Sequence, residues 1–144
     1  QVTSEFIGDD RPADSVTWNE AVDFCKRLTE LERKQGRLPE GFEYDLPTDN
    51  QWKRFVADAG PRNSVYGKGA TAIVKTMDPN SLGLYDVRGN LWEWTKTPRG
   101  EGYGLRGGSY KTSSAHFRNP NARSFGSPNN HFHEYGFRVV LVRK

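Results

Sequence analysis

From Ser109 to Tyr135 the chain contains no Leu, Ile, Val or Met. Ser, Asn, His, Arg, Gly and Pro fill the stretch, with Tyr110, Phe117, Phe125, Phe132 and Tyr135 spaced among them. A segment of that length cannot form a core by aliphatic burial, so most of it must lie at a surface. Loops longer than about 12–15 residues in compact domains are usually functional or disordered. The aromatic residues, and the strand-like run that follows, argue against disorder. The expectation is an ordered, polar-aromatic surface. Aromatic rings offer rigid contact area, and Ser and Asn offer adaptable hydrogen bonds, the mixture that antibody paratopes use. The candidate ligand-binding residues are therefore Tyr110, Lys111, Ser113, His116, Phe117, Asn119, Asn121, Phe125, Asn130, His131, Phe132, His133 and Tyr135. The expected partner is a protein or a peptide.

The remainder of the chain must supply the frame. Thr17 and Glu20 form the T-x-x-E pattern of a capping box, and Trp18, Ala21, Cys25 and Leu28 follow at helical spacing. Gly36 is a plausible stop. A second helix starts at Thr48 with Gln51 as the reciprocal partner. Its buried stripe is Trp52, Phe55, Val56 and Ala59, and Gly60 ends it. After Gly60 short segments alternate with Gly, Pro, Asn and Ser. Gly83-Leu84-Tyr85 and Leu91-Trp92-Glu93-Trp94 read as short strands or strand edges. Phe137 to Val142 is the best strand in the sequence, and Gln1-Val2-Thr3 is a candidate first strand beside it. The fold class is α+β: two helices packed on a small twisted antiparallel sheet with long loops. The length, 144 residues, suits one domain over 1–144. That domain is expected to act as a monomer or as part of a longer multidomain chain.

Charge and cysteine usage narrow the function classes. The formal net charge is +3, with basic residues interspersed among acidic ones. No basic stripe marks a nucleic-acid surface. No apolar run approaches the roughly 20 residues of a membrane span. Cys25 is the single cysteine, so no internal disulfide can form. Cysteine usage leaves the compartment open. Cys25 reads as a small buried residue on the apolar face of the first helix. His116, His131 and His133 could in principle share a metal with an open position. Only Glu134 lies close by to orient them, so surface contact is the better reading of the three.

Several separated motifs carry a family resemblance. They are Ser15-Val16-Thr17-Trp18 with Ala21 and Phe24-Cys25, Tyr44-Asp45-Leu46-Pro47-Thr48 with Trp52, and Gly83-Leu84-Tyr85-Asp86. They continue through Gly89-Asn90-Leu91-Trp92-Glu93-Trp94 and Leu105-Arg106-Gly107-Gly108-Ser109-Tyr110 to Gly136-Phe137-Arg138. In that order they resemble the sulfatase-modifying-factor family, which includes the formylglycine-generating enzymes. The resemblance implies a C-type-lectin-like fold. The enzymes carry two cysteines after the Gly-Gly-Ser-aromatic motif, and those thiolates bind copper and activate oxygen. The first aligns with Thr112, and the second falls near His116 or Phe117. A hydroxyl cannot replace a thiolate toward a soft metal, so no copper chemistry is expected and the chain is not expected to be an enzyme. A degenerate oxidase or a histidine-based metal enzyme is the alternative. The 109–135 segment is similar to that of the variable proteins of diversity-generating retroelements, which implies a binding surface open to diversification. Calcium is the cofactor the resemblance implies, held by the Asp86 carboxylate and the carbonyls of Val87, Gly89 and Leu91. Asp86 could instead pair with Arg88 or cap backbone. Trp92 and Trp94 are expected in the core. Glu93 between them would need a partner such as Arg106 or Arg138.

Overall fold

The computed structural model describes residues 4–6, 8–117, 119 and 121–144. The candidate strand Gln1-Val2-Thr3 lies outside the described residues. Both capping boxes form as expected. Thr17 Oγ1 accepts from the Glu20 N–H at 3.1 Å, and Glu20 accepts from the Thr17 N–H at 2.9 Å, opening α1 (Trp18–Lys34). After β1 (Phe42–Asp45), Thr48 and Gln51 do the same for α2 (Asp49–Val56). The second helix is shorter than its apolar stripe suggests. Asn80 Nδ2 donates to the carbonyls of Phe55 and Val56 at 2.5 and 3.3 Å, and Ala57 turns to φ 44°. A distant side chain thus satisfies carbonyls that another helical turn would have used.

The main sheet has four strands in the order β4-β3-β2-β5: β2 is Trp92–Arg99, β3 Gly102–Arg106, β4 Arg123–Gly126 and β5 Tyr135–Phe137. A separate two-stranded ribbon pairs β1 with β6 (Val140–Arg143). Three expectations are corrected. The four-stranded sheet is not wholly antiparallel, because β5 pairs parallel to β2. The chain leaves β4 on one edge and crosses over before joining the other, as a parallel pairing requires. Gly83-Leu84-Tyr85 is no strand but a turn built on buried Asn80, whose Oδ1 accepts from the Leu82 and Leu84 N–H groups at 3.0 Å. The run Phe137 to Val142 is not continuous either. It breaks at Arg138 and Val139, where the chain leaves the main sheet for the ribbon. Within the 109–135 segment a short helix, α3 (Ser114–Phe117), and β4 replace what reads as loop.

Strand alternation divides the main sheet into two faces of different chemistry. Trp92, Trp94, Leu105, Tyr135 and Phe137 face α1 and pack with Val16, Ala21, Cys25 and Leu46. Trp94 is fully buried, and its Nε1 donates to the Val16 carbonyl at 2.8 Å. Trp18 stacks on Tyr103 at 3.6 Å between centroids and donates to the Thr95 carbonyl. The opposite face is ionic. Glu93, almost wholly buried, accepts from Trp52 Nε1 at 2.8 Å and from Arg138 Nη2 at 2.8 Å. The alternative pairing with Arg106 does not form, although Arg106 stands opposite Glu93 in register. Arg106 instead holds Asp49 by two bonds, Nε to Oδ1 at 2.7 Å and Nη2 to Oδ2 at 2.5 Å. These bonds keep the Asp49 carboxyl below the usual carboxylate range.

Removing one partner of a buried pair strands the other charge and costs about 3–5 kcal/mol. Glu93→Ala is expected to fall in that range in a urea titration. The double substitution Glu93→Ala with Arg138→Met should cost less than Glu93→Ala alone, because no charge is left stranded. A double variant as unstable as the sum of the singles would show the two side chains act independently.

Candidate binding surface

The 109–135 segment is anchored from its first residues. The Tyr110 N–H donates to the Asn90 carbonyl at 2.8 Å, and Lys68 and Gly67 donate to the carbonyls of Tyr110 and Thr112 at 2.6 and 3.0 Å. Tyr110 is 1% exposed and meets Phe6 edge-on, and burial raises its phenol above the ordinary tyrosine value. Phe117 is equally buried, with Tyr66 stacked on it at 4.4 Å and the Arg88 guanidinium over its ring at 4.3 Å. The expectation that Tyr110 and Phe117 face a ligand is therefore corrected: both are core. Five aromatic rings in a segment without aliphatics cannot all be contact surface, because something must hold the segment down. Tyr135 is half-buried, edge-on to Trp94 at 5.2 Å.

The exposed candidates fall into two groups. Phe132 is 52% exposed, with its ring 5.0 Å from that of Tyr135. His116 lies 6.4 Å from half-buried Trp92, which pairs in register with Tyr135. Lys111 reaches toward Glu134, 3.9 Å away, and Ser109 Oγ donates to that same carboxylate. His133 Nδ1 lies 3.3 Å from Ser15 Oγ and 3.8 Å from Glu5, and His131 is exposed near Glu20. Ser113 caps the α3 turn, its Oγ accepting from the His116 N–H, and Asn130 is exposed on the crossover. That crossover is fastened to α1, where Asn19 donates to the Pro128 carbonyl and to Asn129 Oδ1.

Phe125, Asn119 and Asn121 are not brought into this group. On β4, Ser124 pairs with Leu105 and Gly126 lies under Trp94, so alternation turns Phe125, 55% exposed, to the other face beside Gly100. Asn121 is placed by its carbonyl, which accepts from Arg106 on the ionic face. Asn119 Oδ1 accepts from the Asn121 N–H. The sequence reading missed Glu134 and Trp92 as part of the surface. Glu134 had one visible signal, being the only acid between Ser109 and Tyr135.

Thr112 Oγ1 accepts from the Ser109 N–H at 2.8 Å. Cys25 sits in the α1 core as expected, where burial, with the Asp45 charge second, pushes its thiol up to about 11. Among the described residues no group of three or more His, Cys, Asp or Glu side chains could hold a metal. Asp86 does not pair with Arg88, which turns away to Phe117. Its Oδ2 caps the Lys75 N–H at 2.9 Å, while its Oδ1 is buried with no hydrogen-bond partner among the described residues. An orphaned carboxylate oxygen fits a hard cation, and any further ligands there would be mostly carbonyls.

The sulfatase-modifying factor enzyme 1-like domain family matches residues 3–73 and 62–143. This chain belongs to that family. The formylglycine-generating enzyme of Mus musculus is 31% identical over 170 residues, covering 90% of this chain and 44% of the enzyme. The inactive C-alpha-formylglycine-generating enzyme 2 of the same organism is 27% identical, over 90% of this chain and 48% of its own length. The chain thus spans about half the length of these curated relatives. Treponema denticola variable protein 1 superposes with a TM-score of 0.77 at 22% identity, covering 98% of this chain and 77% of the other. The fold is the C-type-lectin-like fold of the family, α+β as the sequence implied.

Truncating a buried aromatic typically costs about 3–5 kcal/mol, whereas surface changes stay near 0.5 kcal/mol. Tyr110→Ala and Phe117→Ala should fall in the first class and His131→Ala in the second, with Phe132→Ala well below the buried pair, as read by denaturant titration. Equal losses at Phe117 and Phe132 would remove the distinction between frame and surface.

Proposed function

We propose that this domain is a non-catalytic binding module that recognises a protein or peptide surface. The observation that carries the reading is the exposed Phe132 ring, flanked by His131 and His133, on a frame fastened by Tyr135, Trp94 and the Asn19 bonds. Exposed aromatic residues on a rigid support are what binding hot spots use, since little ordering entropy remains to be lost. Lys111, Ser113, His116 and Asn130 extend the surface, and Phe125, Asn119 and Asn121 form a second patch. Substitutions at the exposed positions would change the ligand without unfolding the chain, the property a diversified surface needs. The single cysteine at position 25, with Thr112 at the position that resembles the first catalytic cysteine and His116 or Phe117 near the second, supports the absence of oxidase chemistry. The words "inactive" and "variable" in the names of two relatives belong to those proteins, and they agree with the reading.

A displayed peptide library panned against the domain is expected to yield binders. Phe132→Ser with His116→Ala should weaken them at least tenfold, about 1.4 kcal/mol, while the melting temperature changes little. The same preparation should form no formylglycine on a cysteine peptide supplied with copper and oxygen. Binders indifferent to the double substitution, or formylglycine formation, would overturn the proposal.

Calcium belongs to the proposal as a structural ion, with the Asp86 carboxylate and the carbonyls of Val87, Gly89 and Leu91 as its ligands. Its support is the unpartnered Asp86 Oδ1. At ten times its dissociation constant, a bound ion stabilises by about 1.4 kcal/mol. Melting is expected to rise in millimolar calcium relative to chelator and to become calcium-independent in Asp86→Ala. Identical wild-type melting in calcium and chelator would exclude the site.

A further inference from the structure

The ribbon has an open edge. β6 pairs with β1 on one side, and the backbone of Val140–Arg143 makes no other backbone hydrogen bond among the described residues. In an antiparallel pair alternate residues turn their N–H and C=O groups away from the partner strand. β6 therefore presents a row of unpaired groups on its outer side, the template on which another extended chain can pair. A groove of about 410 Å³ lies there, between β6 and α2. It is lined by Arg54 and Phe55 of α2, by Leu84, and by Val139, Val140 and Leu141. None of the lining comes from β1, so the groove runs along the edge that β1 leaves open. Leu141 is 45% exposed, and Phe55, Leu84, Val139 and Val140 are half-buried.

The groove is apolar with cations and no acid. Arg138, which also reaches it, is already held by Glu93 and the Tyr85 carbonyl. Arg54 is exposed and forms no ion pair among the described residues. An unpaired strand edge beside an apolar groove suits an extended chain, whose main chain supplies hydrogen bonds while alternate side chains fill the groove. We propose that this edge receives an extended segment of a partner protein as a third strand beside β6. The segment is apolar at alternate positions and carries a carboxylate that meets Arg54. Charge complementarity selects that chemistry. A second copy of the chain is a poor occupant, because β6 reads Val-Leu-Val-Arg and brings no acid to Arg54. The site is separate from the Phe132 surface and does not depend on the reading given to it.

The probe is a short fluorescein-labelled peptide of alternating valine and glutamate, titrated with the purified chain and followed by anisotropy. Saturable binding is expected, with amide exchange of Val140–Arg143 slowed at saturation. A peptide of alternating valine and lysine should bind roughly tenfold more weakly or worse, and Arg54→Glu should reverse that preference. N-methylation of alternate peptide amides, in the register that faces β6, should abolish binding, because it removes the main-chain donors. Phe132→Ser should leave the affinity unchanged. Absence of binding by either peptide would overturn the proposal, as would binding that N-methylation in both registers leaves intact or a charge preference that Arg54→Glu does not reverse. Loss of binding in Phe132→Ser would put the peptide on the other surface, sinking this site and not that one. A dimer in sedimentation that Leu141→Lys dissolves would give the edge to a second copy and overturn the proposal as well.

Discussion

A carboxylate taken out of water must find fixed donors, and Glu93 at the centre of the main sheet finds them on two other elements. Trp52 comes from α2 and Arg138 from the point where β5 gives way to the ribbon. The same Arg138 donates to the Tyr85 carbonyl at 2.9 Å, so the turn before β2 is tied in as well. The strand that reads as continuous is broken where this arginine must reach inward. An apolar residue at position 93 would pack without directing anything. A charged one sets where α2, the Tyr85 turn and the final strands stand relative to β2. Buried ion pairs are weak evidence for stability, and here the pair's effect is on arrangement.

The other face of the sheet does the opposite work. Trp94, Leu105 and α1 form the apolar core, and their burial supplies most of the driving force. Thr112, beyond the end of β3, accepts from the Ser109 N–H. The 109–135 segment depends on both faces. Tyr135 inserts on the apolar side, Arg106 holds the Asn121 carbonyl on the ionic side, and Tyr110 and Phe117 fasten the part between. What remains outside is polar or aromatic because the frame asks nothing of it.

Local rules were legible where they act locally. The two capping boxes were read from residue types three positions apart, and each formed as read. The family was legible because its motifs occur in order along nearly the whole chain. The end of α2 was not, since it depends on Asn80, far along the chain. Nor was the parallel pairing of β5, because a period of two marks a strand without naming its neighbour.

Composition alone determined that the 109–135 segment would be ordered yet mainly superficial, because it lacks aliphatics and is rich in rings. Composition could not say which rings face inward. Tyr110 and Phe132 look alike as residues in a polar stretch, but one packs against Phe6 and the other is half in solvent. Only the tertiary structure decided that, and it also turned Phe125 to the face opposite Phe132 through strand register. The physical reason is the same in each case. Side-chain direction follows from which backbone lies alongside, and the partners of this segment come from α1, β2, β3 and the 66–90 region, of which only β3 is close in sequence.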